Sequence, residues 1–551
     1  KSLALQGSTE VDVYGVFFDQ EAYDKYELSK EEFELLNERE QKDKEEAEKK
    51  EEESKKKKKK EEKKQEPLEL DLKNLDNRKE KLTINSSSIS DYVLNDDASK
   101  LYYLSSFEKG YDLWVTEPRT RETKILAKLG GTPSGLEISK DGKTLFLSNK
   151  GNLVKVDAES GEVKSIEIAG DMMVDAEAER EYMFDHMWRQ VKKKFYDPKL
   201  HGVEWDKYHE EYGKFLPYIN NNYDYQELLS EFLGELNASH TGGRYRPQND
   251  GIKTASLGLL YDQKYTGEGI KVSEVLEGGP LDKADSKIKA GDVIVKINGE
   301  EIPKDENWYK FLNNLEDKNV LLSIKRGKDS FEEKLKPISM GEESRLMYKR
   351  WVDMMEHKVD SLSNGRLGYV HVQGMNDSSF RDVYEKALGR NLDKEALVVD
   401  TRFNGGGWLH DDLNTFLSGQ EYLKFAPQGN VVKGGEPMTR WTKPSIVVMS
   451  ESNYSDAFIF PYVYKQNDLG KLVGMPVAGT GTAVWWERQI DPTIVFGIPM
   501  VATIGAEGRP TENLELQPDI LVPLPYNAFL NGEDTQIQAA VKALEKELNQ
   551  E

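Results

Sequence analysis

The sequence predicts a multidomain α+β protein, and three changes of pattern along the chain support this fold class. Polar and apolar residues alternate at the N-terminal end, helical spacing follows, and apolar strands alternate with helices towards the C-terminal end. The 551 residues are enough for roughly three to five domains. Their formal net charge of −23 argues against a nucleic-acid-binding protein, because neutralising phosphates needs a basic surface.

Composition excludes several further classes. The chain has no cysteine, which rules out disulfides, thiolate catalysis and cysteine-ligated zinc or iron–sulfur centres. No apolar run approaches the ~18 residues that a membrane span needs. Residues 1–8 lack an initiator methionine and are too short and too polar for a signal peptide, so we expect a processed or truncated chain.

Residues 1–170 are predicted to form a partial β-propeller. The strand-like run at Lys100 recurs at Thr144, and the run at Tyr111 recurs at Gly151. The offset of about 40 residues is the size of one four-stranded propeller blade. Two blades cannot close a ring, so we expect the missing blades upstream of the first residue. A small free-standing β-sandwich is the alternative.

A charged low-complexity insertion at about residues 39–66 interrupts this region. Arg39–Lys64 has only three uncharged residues and includes the lysine hexamer Lys55–Lys60. So few apolar side chains cannot offset the entropy of ordering the segment. Acidic residues interleave the lysines, which favours a solvated loop or a charged helix over a nucleic-acid tail.

Residues 171–250 are predicted to form a small helical domain. Apolar residues recur every three or four positions from Ala176, and a second helical run covers Tyr225–Leu236. Two glycines close behind that run stop a helix and allow a close backbone approach. Of the seven histidines, only His240 lies in a loop of small residues, which makes it the candidate general base.

Residues 254–339 resemble a PDZ domain. The resemblance depends on Gly291–Ile294 and Ile297–Gly299. PDZ domains bind peptides by adding a strand to a sheet edge, beside a loop of N–H groups that can hold a carboxylate. The resemblance places at that loop Leu257, Gly258, Leu259 and Leu260. A PDZ fold that serves only as a structural spacer is the alternative.

Residues 340–551 are predicted to form an α/β domain, because strand-like runs alternate with helical ones. One strand ends at Ser450, and Ser455 then opens a helical run. This junction would hold the hydroxyl of Ser455 at the positive end of a helix, which suits a nucleophile; an ordinary N-cap serine is the alternative. Pro461 inside that run predicts a kinked or short helix.

Three consecutive glycines follow the buried strand that ends at Asp400. Such a backbone can point N–H groups into a cavity, as the oxyanion hole of an acyl-transfer enzyme requires. The Lys-Ser/Thr ending of a phosphate loop is absent, and a plain glycine turn remains the alternative. The sequence holds no His-Glu-x-x-His pair or other metal-ligand spacing, so we expect no metal and no other cofactor.

Together these segments resemble the tricorn protease family, whose C-terminal half belongs with the C-terminal-processing type of serine peptidase. The motifs that carry the resemblance are Glu235–Thr241, Asp400–Gly407, Asn453–Ala457, Leu469–Pro476, Glu512–Asn513 and Pro518–Asp519. The resemblance implies the last blades of a β-propeller, a helical domain with the catalytic Ser-His pair, a PDZ domain and an α/β crotonase-like peptidase domain. Family members often have glycine around the Ser-Asp pair, where this chain has Tyr454 and Ala457.

The resemblance also implies roles for individual residues. Ser455 would be the nucleophile and His240 the general base, with Ser239 and Glu512 completing a tetrad. The oxyanion hole would use the N–H groups of the residues Asp456 and Gly406, or Gly405 in place of Gly406.

Thr480 stands where the processing peptidases without propellers have a catalytic lysine, which favours a Ser–His arrangement. Activity is then expected to fall as His240 becomes protonated below about pH 6.5.

By the same resemblance, the chain would cleave peptides through an acyl-enzyme, degrade oligopeptides and assemble as a homo-hexamer. It would lie in the cytoplasm, with an exported, periplasmic location as the alternative because any export signal would precede the first residue. Two other functions use the same segments. One is a catalytically inactive PDZ and propeller scaffold that binds peptides, and the other is acyl-CoA chemistry on a crotonase-like fold.

Overall fold

The computed structural model describes residues 10–54, 70–108, 110–247, 251–304, 307–426, 428 and 435–550. The chain divides into two compact units, one that ends at Met173 and one that begins at Val174. Their elements confirm a multidomain α+β fold. Among the described residues, no helix is long and apolar enough to cross a membrane.

The first unit begins with two short strands, which are far apart in sequence, and two helices between them. These elements are β1 (Tyr14–Val16), α1 (Gln20–Glu27), α2 (Lys30–Ser54) and β2 (Lys79–Lys81). β1 pairs antiparallel with β2, and the side chain of Asp19 caps α1. The charged insertion begins inside α2, as a charged helix; its continuation through residues 55–66 lies outside the described residues.

Two four-stranded antiparallel sheets follow. The first contains β3 (Ser88–Leu94), β4 (Leu101–Glu108), β5 (Gly110–Glu117) and β6 (Glu122–Ala127). The second contains β7 (Ser134–Ile138), β8 (Thr144–Asn149), β9 (Asn152–Asp157) and β10 (Val163–Ile166). Alternate residues of both sheets are buried in one core, as period-2 patterning predicts. Two successive four-stranded meanders agree with the repeat of about 40 residues expected for blades.

The second unit opens with three helices that lead to the turn in which the candidate base lies. They are α3 (Ala176–Lys194), α4 (Trp205–Gly213) and α5 (Asn222–Gly234), followed by strand β11 (Gly243–Tyr245). Asp175 and Asn221 cap α3 and α5 by accepting backbone N–H bonds. The apolar faces of these helices bury Ile494, Phe496 and Ile498, which come from the far end of the chain. This contact fixes the turn after α5 against the C-terminal domain.

A small β-rich segment comes next. Its strands are β12 (Ala255–Ser256), β13 (Leu259–Tyr261), β14 (Ile270–Val275), β15 (Val293–Ile297), β16 (Glu300–Glu301), β17 (Val320–Arg326), β18 (Asp329–Leu335) and β19 (Ile338–Ser339). The main sheet has the order β13-β14-β15-β17-β18, with β16 beside β15, so β13 is an edge strand. β12 pairs with β19 and brings the start of the segment beside its end.

The C-terminal segment alternates strands and helices. Its helices are α6 (Met340–Leu362), α7 (Asp377–Leu388), α8 (His410–Leu417), α9 (Asp456–Gln466), α10 (Tyr526–Leu530) and α11 (Thr535–Leu548). Its strands are β20 (Leu367–His371), β21 (Ala396–Asp400), β22 (Leu423–Lys424), β23 (Gly435–Glu436), β24 (Ser445–Met449), β25 (Gly470–Gly474), β26 (Thr482–Arg488), β27 (Ile494–Ala502) and β28 (Ile520–Leu521).

The central sheet of this segment is parallel, with the order β20-β21-β24-β25-β28. Every residue of β20, β21 and β24 is buried, as expected for strands covered by helices on both faces. The carboxyl ends of neighbouring parallel strands meet at one edge of the sheet, where ligands bind in open α/β folds. The glycine loop leaves β21 at that edge, and the turn to Ser455 leaves β24 beside it.

The strand-like run Thr493–Phe496, one of those that predict the α/β domain, lies outside the parallel sheet. The run at Thr493 becomes β27, which extends to Ala502 and joins β11 and β26 in a separate antiparallel sheet. Alternate residues of β27 face the helices α3 and α5, so this sheet connects the helical segment to the α/β domain.

Candidate active site

Ser455 lies at a sharp turn between β24 and α9. Its φ of +58° and ψ of −124° fall in a region that L-residues rarely adopt. Ser455 occupies the N-cap position of α9, yet its side chain caps no helix N–H group. An ordinary N-cap serine would use its hydroxyl for that purpose, so the structure leaves the Ser455 hydroxyl available for other chemistry.

The helix behind Ser455 is not shortened by Pro461, and α9 continues to Gln466. Proline lacks an N–H and therefore leaves the carbonyl of Ala457 without its helical partner. The side-chain amide of Asn453 donates to that carbonyl at 3.2 Å and also donates to the Thr401 hydroxyl at 2.9 Å. Asn453 thus ties the first turn of α9 to the end of β21, which holds the turn around Ser455 in place.

His240 lies in the turn between α5 and β11, with a φ of +62°. Its backbone N–H donates to the Tyr454 hydroxyl at 2.7 Å, and the two rings lie 4.8 Å apart. On its other side, the carbonyl of His240 lies against Gly497 of β27, where no Cβ could fit. Tyr454, which the sequence comparison marks as a departure from glycine, therefore helps to hold the histidine.

A continuous chain of hydrogen bonds runs from Glu512 to Ser455. The Ser239 hydroxyl donates to Glu512 Oε2 at 2.9 Å, and the Ser239 N–H donates to Oε1 at 2.5 Å. The Ser239 oxygen lies 2.8 Å from His240 Nδ1, and His240 Nε2 lies 2.9 Å from Ser455 Oγ. All four residues that the sequence singled out as a tetrad are therefore brought together.

The directions of these bonds define which nitrogen of His240 is basic. Because the Ser239 hydroxyl gives its only proton to Glu512, its oxygen accepts from Nδ1–H. The other ring nitrogen, Nε2, then carries a lone pair directed at Ser455 Oγ. This is the tautomer that a general base for Ser455 needs.

Two threonines that the sequence reasoning did not place in the tetrad complete its surroundings. Thr482 Oγ1 lies 3.1 Å from His240 Nδ1 and 3.2 Å from Ser239 Oγ. Thr480 Oγ1 accepts the backbone N–H of Ser455 at 2.7 Å. Thr480 thus occupies the neighbourhood of the nucleophile without supplying a base. The alternating Gly-Thr-Gly-Thr run at residues 479–482 was the available signal for this pair.

Burial sets the charge of the tetrad. His240 is 8% exposed, and this burial together with the nearby Arg244 guanidinium lowers the pKa of His240 to about 4. Burial also raises the pKa of Glu512, in spite of its bonds from Ser239. The imidazole therefore stays neutral to well below pH 6.5, and the sequence-based expectation of a loss of activity near pH 6.5 needs this correction.

The glycine loop lies against Ser455. Gly406 has a φ of +97°, and a Cβ added there would lie 2.6 Å from Ser455 Cβ. The Gly406 N–H donates to the side chain of Asn404 at 2.8 Å. In the described part of the chain, the N–H groups of Gly405 and Asp456 have no acceptor. The structure therefore leaves Gly405, ahead of Gly406, as the open donor beside the first N–H of α9.

A cleft of about 510 Å³ opens beside the tetrad. Its walls include Ser239, Tyr454, Thr480, Glu512 and Asn513. His240 and Glu512 are thus buried and Ser239 and Ser455 half-buried, next to a space that reaches solvent, as a substrate site requires.

In the predicted carboxylate loop of the PDZ-like segment, one backbone N–H group is already bonded within the chain. Leu257 and Leu259 are buried in the core of that segment, Leu260 is half-buried, and the N–H of Gly258 donates to Ser256 Oγ at 2.9 Å. The Ser256 hydroxyl in turn donates to the carboxylate of Glu343 in α6. This arrangement favours the structural-spacer interpretation over capture of a peptide carboxylate.

Parts of the chain match family models of serine-type peptidases and of PDZ domains. The family model for Peptidase family S41 matches residues 366–522, and the PDZ domain model matches residues 246–309. The family model for the tricorn protease C1 domain matches residues 176–234, so the resemblance to tricorn proteases is confirmed.

Several curated relatives are named as tricorn proteases or their homologs. The tricorn protease of Thermoplasma volcanium is 25% identical over 460 residues, which cover 80% of this chain and 43% of that protein. Tricorn protease homolog 1 of Streptomyces coelicolor is 26% identical over 444 residues, 75% of this chain and 40% of that protein. This chain thus spans less than half the length of these relatives.

A solved structure of the tricorn protease matches with a TM-score of 0.72 and 21% identity, covering 88% of this chain and 49% of that one. At this identity the match establishes a shared fold.

Proposed function

We propose that this chain is a tricorn-like serine peptidase that cleaves peptides through an acyl-enzyme and degrades oligopeptides. The observation that carries the proposal is the hydrogen-bonded chain Glu512–Ser239–His240–Ser455, with its basic nitrogen 2.9 Å from the Ser455 hydroxyl. A serine at a strained strand–turn–helix junction has no structural need for such a chain. Relatives named as proteases and the match to the peptidase family model support peptide substrates.

The proposed reaction begins when Ser455 Oγ attacks the carbonyl carbon of the scissile peptide bond. The hydroxyl proton passes to His240 Nε2 as the new C–O bond forms. The negative charge that develops on the carbonyl oxygen is held by the N–H groups of Asp456 and Gly405. Asp456 supplies the first N–H of α9, directly after Ser455, and Gly405 directly precedes Gly406, the loop residue that lies against Ser455.

Collapse of the tetrahedral intermediate breaks the C–N bond, and His240 Nε2 returns the proton to the leaving amine. Water then hydrolyses the acyl-enzyme by the reverse sequence of proton transfers. Ser239 and Glu512 act on this cycle through His240, because they fix its tautomer and stabilise the imidazolium that forms twice per turnover. Thr482 supports the same nitrogen, Nδ1.

The relatives also support an assembly of several copies. We extend the proposal to a homo-oligomer, a hexamer by resemblance to tricorn, whose chambers would limit substrates to peptides. The proposed domains are a partial propeller to residue 170, the helical domain at 171–250, the PDZ domain at 254–339 and the peptidase domain at 340–551.

The proposal is tested by labelling with a fluorophosphonate probe and locating the adduct by mass spectrometry. We expect a single adduct on Ser455 that is lost in Ser455→Ala, together with peptide hydrolysis that the same variant lacks. Ser452→Ala is the matched control, because Ser452 lies in the same turn and should leave labelling unchanged. Hydrolysis that survives in Ser455→Ala would refute the proposal. A folded oligomer that binds peptides but gives no adduct would instead support an inactive peptide-binding scaffold.

A further inference from the structure

A second histidine, His410, contacts Asp456, the residue that follows the nucleophile. The carboxylate of Asp456, which is 1% exposed, accepts the backbone N–H groups of Leu409 at 2.5 Å and His410 at 3.0 Å. Its other oxygen lies 2.5 Å from His410 Nδ1. Asp456 therefore clamps the residues that follow the glycine loop onto the start of α9.

This clamp joins the two halves of the proposed oxyanion hole. Asp456 supplies one open N–H at the first position of α9, and Gly405 supplies the other from the loop that leads to Leu409. Because Asp456 holds the segment behind the glycines, it fixes the distance between the two donors. A side chain that holds Asp456 thus acts on oxyanion binding without touching the substrate.

The same carboxylate creates an electrostatic problem. A buried negative charge next to the place where another negative charge develops opposes formation of the tetrahedral intermediate, since water does not screen it. The neighbouring cation removes this opposition. With imidazolium at position 410, the pair with Asp456 is neutral, and the partial positive charge of the α9 N-terminus acts on the oxyanion alone.

We propose that His410, as the imidazolium, is a positioning residue for the oxyanion hole that neutralises Asp456 during acylation. This inference rests on the proposed function and goes beyond the tetrad. Activity then requires two histidines in opposite charge states, neutral His240 and cationic His410. The pH profile should be a bell, with the alkaline side set by His410.

The charged surroundings of His410 agree with this role. The groups that face it are Asp456 from α9 and, from its own helix, Asp411 and Asp412, and the ring of Trp408 lies 5.3 Å away. Although burial works in the opposite direction, the bond and charge of Asp456 raise the pKa of His410 above its usual value. The cation is therefore retained at neutral pH and lost as the pH rises through that raised pKa.

The test compares His410→Asn with the wild-type protein. Asparagine keeps a donor near the position of Nδ1 and removes the charge. We expect kcat/KM of the wild type to fall on the alkaline side, while His410→Asn shows a flat alkaline side and a rate lower by on the order of tenfold at neutral pH. KM should stay nearly unchanged. His357→Asn, an exposed histidine on α6, is the matched control and should keep the wild-type profile.

A peptide trifluoromethyl ketone separates positioning from a merely structural role, because its adduct with Ser455 carries an oxyanion. Its affinity should fall in His410→Asn by the same factor as kcat/KM, whereas a product peptide should bind equally well. If His410→Asn fails to fold, the affinity of the wild type for the ketone is measured against pH and should weaken on the same alkaline side.

The inference would be overturned if kcat/KM of His410→Asn still fell at alkaline pH. It would also be overturned if the affinity of the wild type for the ketone did not change with pH. If the fluorophosphonate adduct on Ser455 still forms, the proposed function stands while the role of His410 falls. Without that adduct, the proposed function itself fails.

Discussion

The two sides of Ser455 each present a histidine, and the two are driven towards opposite charge states. On the base side, His240 is buried among hydroxyl groups near Arg244, and its pKa is lowered to about 4. On the oxyanion side, His410 is paired with Asp456, and its pKa is raised. The surroundings of each ring, rather than the residue type, therefore determine which histidine is the proposed base and which the proposed cation.

The two sides also differ in how they are built. The base side joins residues far apart in sequence, since His240 and Ser455 are 215 positions apart and Ser239 and Glu512 are 273 apart. The oxyanion side is built within the α/β domain, where His410 and Asp456 are 46 positions apart. Packing of the helical segment against β27 therefore positions His240 but not the contact between His410 and Asp456.

The largest effect is expected from removal of the base. His240→Gln should lower kcat/KM for peptide hydrolysis by on the order of 10⁴-fold, because Ser455 then has no proton acceptor. The rate of fluorophosphonate labelling should fall with it. His209→Gln, on α4, removes a histidine outside the site and should label like the wild type. Labelling of His240→Gln at the wild-type rate would mean that another group activates Ser455.

An intermediate effect is expected at the glycine loop, where two neighbouring positions form a matched pair. Gly406→Ala puts a methyl group 2.6 Å from Ser455 Cβ and 2.7 Å from the Tyr454 carbonyl, at a φ of +97°. We expect it to lower the acylation rate by on the order of 100-fold, because the methyl group must displace Ser455 and the first N–H of α9 from their positions. Gly405→Ala keeps its N–H and meets no atom within 4 Å, so it should cost little.

Single-turnover acylation of a peptide ester measures both rates. Equal losses in the two variants would show that the loop does not approach Ser455 as closely as described.

The smallest effect is a shift of the acid side of the pH profile. Arg244 lies over the Trp486 ring at 3.6 Å from its centroid, and its charge helps to lower the pKa of His240. Arg244→Gln removes that charge, so the imidazolium forms more readily and the acid side should move to higher pH. The alkaline side should not move. Arg246→Gln, at the end of the same strand, is the control, and kcat/KM measured from pH 3 to 9 separates the two variants.

Much of the fold could be predicted from the sequence, because the spacing of apolar residues within a strand or helix is a local property. Apolar runs at Ala396 and Ser445 predicted the buried strands of the parallel sheet, and periodicity from Ala176 predicted α3. The run at Thr493 was correctly predicted as a strand, but its sheet was not predicted, since a short apolar strand carries no information about which neighbour it pairs with. Only the packing of Phe496 on the helical segment decides that.

The site was predictable to the extent that motifs carry it. Ser455 and His240 could be identified from their turns and from the family resemblance. The contacts of Thr482 and His410 join residues that are distant in sequence, so no sequence spacing predicts them. The sequence could not decide whether Gly405 or Gly406 is the oxyanion donor, because the answer depends on the side chain of Asn404, which accepts the N–H of Gly406. Likewise, the acid sensitivity of His240 could not be read from the usual histidine pKa, because burial of the ring is a tertiary property.

The long sequence separation within the tetrad has a consequence for the chain as it is made. Synthesis delivers the histidine first, the nucleophile 215 residues later and Glu512 after both. Under the proposed mechanism, a chain whose distant segments have not yet packed together has no activated serine, even when all four residues of the tetrad have been made. The proposed activity would then be gained only on folding, so unfinished copies would not cleave their neighbours.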